Sequence, residues 1–192
     1  MIFATNNAHK LQEVTAILGD QFTLTTLREA GITEDIPEEE PTIEGNALAK
    51  ARYVWNKTGC DCFADDTGLE VDALGGAPGV HSARYATDGH DFAANRAKLL
   101  HELEGVTERA ARFRTVVALI IGGKEYTFEG TVEGVITTEE RGEGGFGYDC
   151  LFRPDGYEAT FAELPAEEKN AISHRGRAMR RLAEWLNGEH RR

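Results

Sequence analysis

In the first part of the chain, the spacing of apolar residues is that of a strand, then that of a helix, then that of a strand again. Four apolar residues followed by Thr5 predict a short buried strand at residues 1–5. Apolar residues recur at helical spacing over residues 10–18, where Gly19 ends the predicted helix. Over residues 22–27 apolar residues alternate with threonine, which predicts a second strand. The order strand, helix, strand is typical of the opening of an α/β fold.

Residues 34–41 interrupt this pattern with a run of glutamates. Prolines bracket the run, so the segment is predicted to be a loop, and we refer to it as the acidic loop. Thr42 follows as the predicted N-cap of a long amphipathic helix, and Gly59 is placed as the left-handed residue that ends it.

The second half of the chain combines a hairpin with further helices. Residues 92–103 form a predicted helix, and residues 112–121 and 125–129 form a predicted hairpin joined by a Gly-Gly turn. A separate strand is predicted at residues 132–137, and a helix closes the chain. Hairpins pair antiparallel strands whereas crossovers pair parallel ones, so we expect an α/β or mixed α+β fold with a central mixed sheet.

Length and charge narrow the class of protein. The chain has 192 residues, which suits one domain spanning residues 1–192. Its formal net charge of −12 repels phosphate backbones, so no nucleic-acid partner is expected. A small anionic ligand would instead need a local cluster of cations, a metal ion or both. Three cysteines without a signal-peptide pattern, and no apolar stretch of membrane-spanning length, predict a soluble cytoplasmic protein with free thiols and no membrane contact.

A pair of carboxylates is the first candidate for chemistry. Asp65 and Asp66 follow the predicted apolar strand at residues 62–64, and ligands of open α/β sheets bind at the carboxyl ends of strands. The acidic loop could supply a further ligand, because Mg²⁺ binds a few carboxylates together with phosphate oxygens and water. Neighbouring side chains of a strand point to opposite faces, so the two aspartates need not share one ion. The alternative is an ordinary Asp-Asp-Thr-Gly turn.

Two segments supply candidate cations for an anionic ligand. Residues 5–10 lie between a strand and a helix start, where backbone N–H groups favour a phosphate and Lys10 adds a charge, although an ordinary polar turn has the same composition. Lys169, His174 and Arg175 belong to the most cationic segment of the chain and lie near the start of its last helix.

The glycine-rich stretch at residues 141–149 is the remaining candidate. Its glycines formally match the dinucleotide-binding pattern G-x-G-x-x-G, but a strand rather than a helix follows, so we reject that interpretation. Phe146, Tyr148 and Asp149 could form a platform on which a nucleobase stacks, or a hairpin loop with a core-facing phenylalanine. No P-loop pattern G-x-x-x-x-G-K-[ST] is present.

Taken together, these segments resemble the inosine/xanthosine triphosphate pyrophosphatase family, the non-canonical purine NTP pyrophosphatases. The matching stretches are Ala-Thr-Asn-Asn-Ala-His-Lys at 4–10, Glu-Gly-Asn-Ala at 44–47 with Lys-Ala at 50–51, Ala-Asp-Asp-Thr-Gly-Leu at 64–69, Gly-Gly-Ala-Pro-Gly-Val at 75–80 with Ser-Ala-Arg-Tyr at 82–85, Gly-Phe-Gly-Tyr-Asp at 145–149, and Glu-Lys at 168–169 with Ile-Ser-His-Arg at 172–175. They occur in order, so the resemblance covers essentially the whole chain.

The resemblance implies an elongated α/β fold with a central mixed sheet flanked by helices, two lobes with a cleft between them, and a homodimer. It implies that Asp66 is the proton acceptor and a Mg²⁺ ligand, with Glu38 as the second ligand, although Glu39 or Glu40 could take that place. The role of Asp65 stays open. The residues implied to bind substrate are Thr5, Asn6, Asn7, Ala8, His9 and Lys10 at the phosphates, Thr67, and Phe146, Gly147, Tyr148, Asp149, Lys169, His174 and Arg175 around the base and sugar.

The implied reaction is the Mg²⁺-dependent hydrolysis of ITP, dITP or XTP to the monophosphate and pyrophosphate, with water attacking the α-phosphorus. A donor such as His174 or Arg175 would select purines with a 6-oxygen, because adenine presents an amino donor there. Two alternatives stay open at this point. One is a pyrophosphatase acting on modified pyrimidine nucleotides, and the other is a non-enzymatic nucleotide- or RNA-binding module, suggested by the arginines of the last helix.

Overall fold

The computed structural model describes residues 1–189, so residues 190–192 of the predicted domain lie outside the described residues. Helices and strands follow in chain order as β1 (Ile2–Phe3), α1 (Ala8–Leu18), β2 (Thr25–Thr26), α2 (Ile43–Thr58), β3 (Cys62–Val71), β4 (Pro78–Gly79), α3 (Phe92–Glu102), β5 (Ala110–Ile121), β6 (Lys124–Ile136), β7 (Phe152–Pro154), α4 (Ala166–Ile172) and α5 (His174–Glu189). Along the same residues, no helix is long and apolar enough to cross a membrane.

The strands form a mixed sheet in the order β2-β1-β3-β5-β6-β7, with β4 paired to β3. Strand β1 is parallel to both β2 and β3, whereas β3 with β4 and β6 with β7 are antiparallel. The predicted α/β fold with a mixed sheet is therefore confirmed.

The chain divides into two compact units. Unit 1 comprises residues 1–66 and 115–130 together with the chain from residue 174 onward, and unit 2 comprises residues 67–114 and 131–173. Strands β3, β5 and β6 each contribute residues to both units. The assignment of the chain to a single domain stays a prediction.

The core of unit 1 lies where α1 and α5 pack together beside the sheet. Phe3 and Phe63 stack with their ring centroids 4.7 Å apart, and Val14 of α1 and Met179 of α5 are fully buried in the same cluster. These apolar residues recur at helical spacing on α1 and α5, so burial against the strands stabilises both helices.

The core of unit 2 is dominated by aromatic side chains. Phe113 of β5 lies edge-on to Phe152 of β7 at 4.7 Å between centroids and stacks on Phe161 at 5.9 Å. Leu99 of α3 is fully buried in the same cluster. The helix that carries Leu99 is capped by Asp91, whose carboxylate accepts the Ala94 N–H.

Both ends of the helix at residues 43–58 were predicted correctly. The Thr42 hydroxyl accepts the Gly45 N–H, and Gly59 adopts the left-handed conformation at φ 64°. These features are local, because the capping residue and the N–H group that it binds lie within one turn of each other.

In two places the strands of the structure are longer than predicted. The predicted strand at residues 62–64 continues to Val71, so Asp65 and Asp66 lie within β3 and not in a turn after it. Pairing of Leu69 and Glu70 with β4 extends the strand past the aspartates. The strands predicted at residues 125–129 and 132–137 form one continuous strand, β6, that includes Gly130.

Three further predicted elements differ from the structure. The strand predicted at residues 1–5 is only Ile2–Phe3. The strand predicted at residues 22–27 is only Thr25–Thr26, and the closing helix is two helices separated by Ser173, which has an extended backbone at ψ 158°. The break places His174 at the start of α5.

Candidate active site

Strand β3 places two buried aspartates side by side in different surroundings. Asp65 is 1% exposed and Asp66 is 6% exposed. Burying an ionised carboxylate is costly unless cations or hydrogen-bond donors compensate it. Nearby cations compensate the charge of Asp65 more fully than that of Asp66.

Asp65 is surrounded by cations. Its Oδ2 accepts a hydrogen bond from Arg175 Nε at 3.0 Å, and its Oδ1 lies 3.4 Å from Lys10 Nζ. Burial alone would raise the pKa of Asp65, but the charges of Lys10, Arg175 and Lys50 outweigh burial and hold that pKa well below its usual range. Asp65 is therefore a permanent anion at neutral pH.

Asp66 has weaker compensation. Its Oδ1 lies 3.8 Å from Lys50 Nζ, and among the described residues no hydrogen-bond partner reaches its buried Oδ2. Burial raises the pKa of Asp66 to about 6, against the attraction of Lys50 and Lys10 and with the repulsion of Glu38. Asp66 can therefore accept and release a proton near neutral pH.

Lys50 of α2 connects the groups of this site. Its Nζ donates to the backbone carbonyl of Asp65 at 2.6 Å and lies 3.4 Å from Glu38 Oε1. Burial disfavours the charged lysine, but Asp66, Glu38 and Asp65 outweigh burial and raise its pKa. One ammonium group therefore contacts both Glu38 and Asp66, so these two carboxylates face the same point.

The three consecutive glutamates of the acidic loop differ in their contacts. Glu38 contacts Lys50 and its side chain is 32% exposed, whereas Glu39 and Glu40 are exposed. This favours Glu38 over its neighbours as the carboxylate that acts together with Asp66.

The predicted phosphate-binding turn leads into α1. Asn7 caps the helix by accepting the N–H groups of His9 and Lys10, and the Asn7 N–H donates to Thr5 Oγ1 at 3.0 Å. Asn6, Ala8 and His9 are exposed, whereas Lys10 is 15% exposed. Burial lowers the pKa of Lys10, although Asp65 opposes that effect.

His174 and Arg175 are buried at the start of α5, at 3% and 2% exposure. Besides its bond to Asp65, Arg175 forms an ion pair with Glu13 of α1. Around Asp65 and Asp66, ion pairs among the described residues join three cations with four carboxylates, namely Lys10, Lys50 and Arg175 with Glu13, Glu38, Asp65 and Asp66. The excess carboxylate favours binding of a further cation at this cluster.

The residues of the glycine-rich stretch form a separate group within unit 2. Asp149 Oδ2 accepts the Phe146 N–H at 3.0 Å and a bond from Lys169 Nζ at 2.7 Å, and Lys169 Nζ lies 5.2 Å from the centroid of the Phe146 ring. The Gly147 carbonyl accepts a bond from Arg96 at 3.1 Å. Phe146, Gly147, Asp149 and Lys169, together with Tyr148 between them in the chain, therefore lie in one region of unit 2.

Tyr148 and Asp149, which the sequence offered as part of a platform for a nucleobase, are buried. They are 6% and 4% exposed, and the Tyr148 hydroxyl donates to the Ser82 carbonyl at 2.7 Å. Phe146 is half-buried. A buried Tyr hydroxyl needs a hydrogen-bond partner, and the Ser82 carbonyl provides one.

Comparisons with known proteins match nearly the whole chain. The family model described as the Ham1 family matches residues 1–185. The chain belongs to the Ham1 family. It is 50% identical to a dITP/XTP pyrophosphatase of Flavobacterium johnsoniae, with 97% of each chain covered, and 52% identical to one of Porphyromonas gingivalis, with 97% of this chain and 96% of the relative covered. A Staphylococcus aureus Ham1 protein of known structure superposes with a TM-score of 0.89 at 36% identity, covering 98% of each chain.

Membership of the Ham1 family confirms the resemblance inferred from the motifs. The structure adds two residues to the candidate site of this Ham1 protein, Lys50 and Glu13. Lys50 belongs to one of the matching stretches, but a lysine on an amphipathic helix is usually solvated, and the contact that distinguishes it, with the Asp65 carbonyl, is not visible in the sequence. Glu13 lies within the α1 periodicity and had no sequence feature that marked it.

The carboxylates of this site fit a hard divalent cation. Across residues 1–189 no group of three or more His, Cys, Asp or Glu side chains could hold a metal ion by itself. Mg²⁺ does not require such a group, because it is commonly bound by one or two carboxylates together with water and substrate phosphates. Asp66 Oδ2 is buried without a hydrogen-bond partner among the described residues, and Glu38 faces the same lysine as Asp66, so both suit such an ion.

Proposed function

We propose that this chain is a nucleoside triphosphate pyrophosphatase that hydrolyses the non-canonical purine nucleotides ITP, dITP and XTP to the monophosphate and pyrophosphate, in a Mg²⁺-dependent reaction. The observation that carries the proposal is the buried Asp66, whose pKa is raised to about 6 beside Lys50 and Glu38. The relatives named dITP/XTP pyrophosphatase support the substrate class. Such an enzyme removes damaged purines from the nucleotide pool.

Asp66 is the proposed general base. It would accept a proton from the water that attacks the α-phosphorus, as the bond between the α-phosphorus and the departing pyrophosphate breaks. Without a bound metal ion, a pKa near 6 leaves the carboxylate ionised at neutral pH, which is the form that a general base requires. Mg²⁺, held by Asp66 and Glu38 with phosphate oxygens, would neutralise phosphate charge when bound.

Lys10 and Lys50 are the proposed cations for the triphosphate. Lys10 is largely shielded from solvent and pairs with Asp65, and the buried Lys50 pairs with Glu38 and Asp66 and donates to the Asp65 carbonyl. In surroundings of low dielectric constant, a positive charge stabilises a developing phosphate anion more strongly than it would in water. The turn at residues 5–10 would contribute backbone N–H groups to the same phosphates.

Asp65 is a proposed positioning residue. Because its carboxylate binds Arg175 and Lys10 and its carbonyl binds Lys50, it fixes three cations beside Asp66. In this proposal the adjacent aspartates have separate tasks: Asp65 keeps its charge and holds cations, and Asp66 accepts the proton.

For the base and sugar, we propose the unit 2 group of Phe146, Gly147, Tyr148, Asp149 and Lys169, with Thr67 also touching the substrate. The half-buried Phe146 ring offers a stacking face.

His174 and Arg175 remain the proposed donors to the 6-oxygen. Two nitrogens of Arg175 already bind Asp65 and Glu13, so a contact with the base through either of them would require it to leave a carboxylate. We also propose a homodimer, as the family resemblance implies, and a cytoplasmic location, in which the three cysteines would stay reduced.

The experiment that tests the function is a product analysis. Purified protein is incubated with ITP, dITP, XTP, ATP, GTP and modified pyrimidine triphosphates, with and without Mg²⁺, and products are identified by chromatography. Monophosphate and pyrophosphate from ITP, dITP or XTP, with little turnover of ATP, GTP and pyrimidines, supports the proposal. Preference for pyrimidines, or orthophosphate as the product, would contradict it.

A further inference from the structure

One face of helix α2 is lined by four side chains that contact the acidic loop. Asn46, Lys50, Tyr53 and Lys57 recur at spacings of four, three and four residues, which places them on one face of the helix. The acidic loop contains no helix or strand of its own among the described residues, so its backbone has to be held by groups outside it.

The end of the loop nearest α2 is held by Asn46. The Asn46 Oδ1 accepts the Glu40 N–H at 2.9 Å, and Asn46 is 2% exposed. Glu40 follows Glu38 by two residues, so this hydrogen bond fixes the backbone immediately beside the carboxylate that contacts Lys50.

The other end of the loop is held further along the same helix face. The Tyr53 hydroxyl donates to Glu34 Oε1 at 2.6 Å, and Lys57 forms an ion pair with the same carboxylate. Helix α2 therefore anchors the acidic loop on both sides of Glu38.

Gly45 allows the loop to approach the helix closely. A Cβ atom at this position would lie 2.9 Å from Glu40 Cβ and 2.9 Å from Thr42 Oγ1, and both distances are shorter than a normal contact between non-bonded atoms. Glycine in the first turn of a helix costs helix stability relative to alanine, and here its lack of a side chain makes room for the loop.

We infer that Asn46, together with Gly45, positions Glu38 for cation binding by fixing the acidic loop on α2. The inference rests on the proposed function, in which Glu38 and Asp66 hold the divalent cation. Asn46 and Lys50 are one helical turn apart, so the same helix sets the place of Lys50 beside Asp66 and the place of the loop that brings Glu38 to it. Asn46 touches no substrate in this role.

A purely stabilising role of Asn46 predicts a different result from a positioning role. If Asn46 only stabilised the fold, its removal would lower the free energy of unfolding and leave the cation affinity of the folded protein unchanged. If Asn46 positions Glu38, the folded variant binds the cation more weakly, because residues that orient metal ligands typically contribute 10- to 100-fold to metal affinity.

The test measures Mn²⁺ binding to the full chain without nucleotide, by electron paramagnetic resonance of free Mn²⁺, so that catalysis is not involved. For Asn46→Ala and Gly45→Ala we expect Mn²⁺ affinity to fall by about tenfold or more. For Tyr53→Phe, which loses one contact at the far end of the loop, we expect a smaller decrease. If Asn46→Ala does not fold, the Mn²⁺ affinities of Gly45→Ala and Tyr53→Phe test the inference instead.

Two control variants match these changes. Asn56→Ala makes the same substitution at an exposed position of α2, and Glu39→Gln removes an exposed carboxylate of the same loop. Both are expected to keep wild-type affinity for Mn²⁺. Amide hydrogen exchange gives a second readout: the Glu40 N–H should be protected in the wild type and exchange faster in Asn46→Ala.

Glu38→Gln separates the failure of this inference from the failure of the proposed function. Wild-type Mn²⁺ affinity in folded Asn46→Ala and Gly45→Ala, with lost affinity in Glu38→Gln, would overturn the positioning role of Asn46 alone. Wild-type affinity in Glu38→Gln would overturn the metal assignment of the proposed function and the role of Asn46 with it. If the Glu40 N–H exchanges as slowly in Asn46→Ala as in the wild type, the loop is held by groups other than Asn46.

Discussion

At the scale of single residues, the site depends on two neighbouring carboxylates in unequal surroundings. Asp65 binds Arg175 and Lys10 and stays ionised, whereas Asp66 is buried with one distant lysine contact at 3.8 Å. Adjacent residues of a strand point to opposite faces, which allows this difference within a single Asp-Asp pair.

Replacing Asp66 by Asn is expected to stabilise the protein above pH 6 while removing the proposed base. The folded-state pKa of Asp66 is raised from 3.8 to about 6, so the folded state binds its proton more tightly than the unfolded state. The resulting stabilisation is complete below about pH 4 and is lost as pH rises to 6. Above pH 6 the buried charge then costs on the order of 2–3 kcal/mol, which Asn would not incur.

Urea unfolding of the wild type and Asp66→Asn at pH 4 and pH 7.5, with EDTA present, measures this difference. We expect the stability gain of the variant to increase by about 2–3 kcal/mol between the two pH values. Asp88→Asn, at an exposed position, is the control. A gain that is the same at both pH values would show that burial does not set the proton affinity of Asp66.

The sequence predicted Asp66 and Glu38 as site residues but not the environment that distinguishes the aspartates. Lys50 shows the reason. Its bond to the Asp65 carbonyl joins residues fifteen apart in the sequence, and no local pattern reports such a contact. The periodicity of α2 identifies its apolar face, whereas Lys50 on the adjoining face has the composition of an ordinary solvated position.

At the level of helices and strands, the sequence could not show which glycines end an element and which allow two elements to pack closely. Gly59 and Gly130 both look like element boundaries, but only Gly59 is one, with its left-handed φ of 64°. Gly130 lies inside β6, where a Cβ atom would meet the His174 carbonyl oxygen at 2.1 Å and the Ala178 nitrogen at 2.6 Å. Helix caps were predictable because they are local, and this close approach of α5 was not, because its partner is distant in the sequence.

Gly130→Ala is therefore expected to be strongly destabilising. The atoms in the way are backbone atoms of α5, which cannot move aside as a flexible side chain could, so the cost should reach about 3 kcal/mol or more. Because α5 begins with His174 and Arg175, pyrophosphatase activity should fall as well. Thermal unfolding monitored by circular dichroism measures the loss.

Gly188→Ala provides the matched control for that substitution. Position 188 lies on α5, and apart from its own helix no atom of residues 1–189 lies within 4 Å of the added Cβ, so the change should be neutral or stabilise by up to about 1 kcal/mol. Equal melting temperatures for Gly130→Ala and the wild type would mean that α5 can shift away from β6 without loss.

At the scale of the whole molecule, two compact units are connected by continuous strands. Strands β3, β5 and β6 each contribute residues to both units, and the two proposed functional groups fall on different units, with Asp66 in unit 1 and Asp149 in unit 2. Unfolding of one unit would take part of each of these strands out of the sheet. The hydrogen bonds and apolar burial lost there would lower the stability of the other unit.

We therefore expect one cooperative unfolding transition, as the single-domain prediction requires. Differential scanning calorimetry should give a calorimetric enthalpy equal to the van't Hoff enthalpy within error, which is the test of two-state behaviour. Hydrogen exchange under native conditions should give the most protected amides of unit 1 and unit 2 similar opening free energies. Two resolved transitions, or one unit opening at a much lower free energy, would mean that the shared strands do not couple the units and that residues 1–192 behave as two domains.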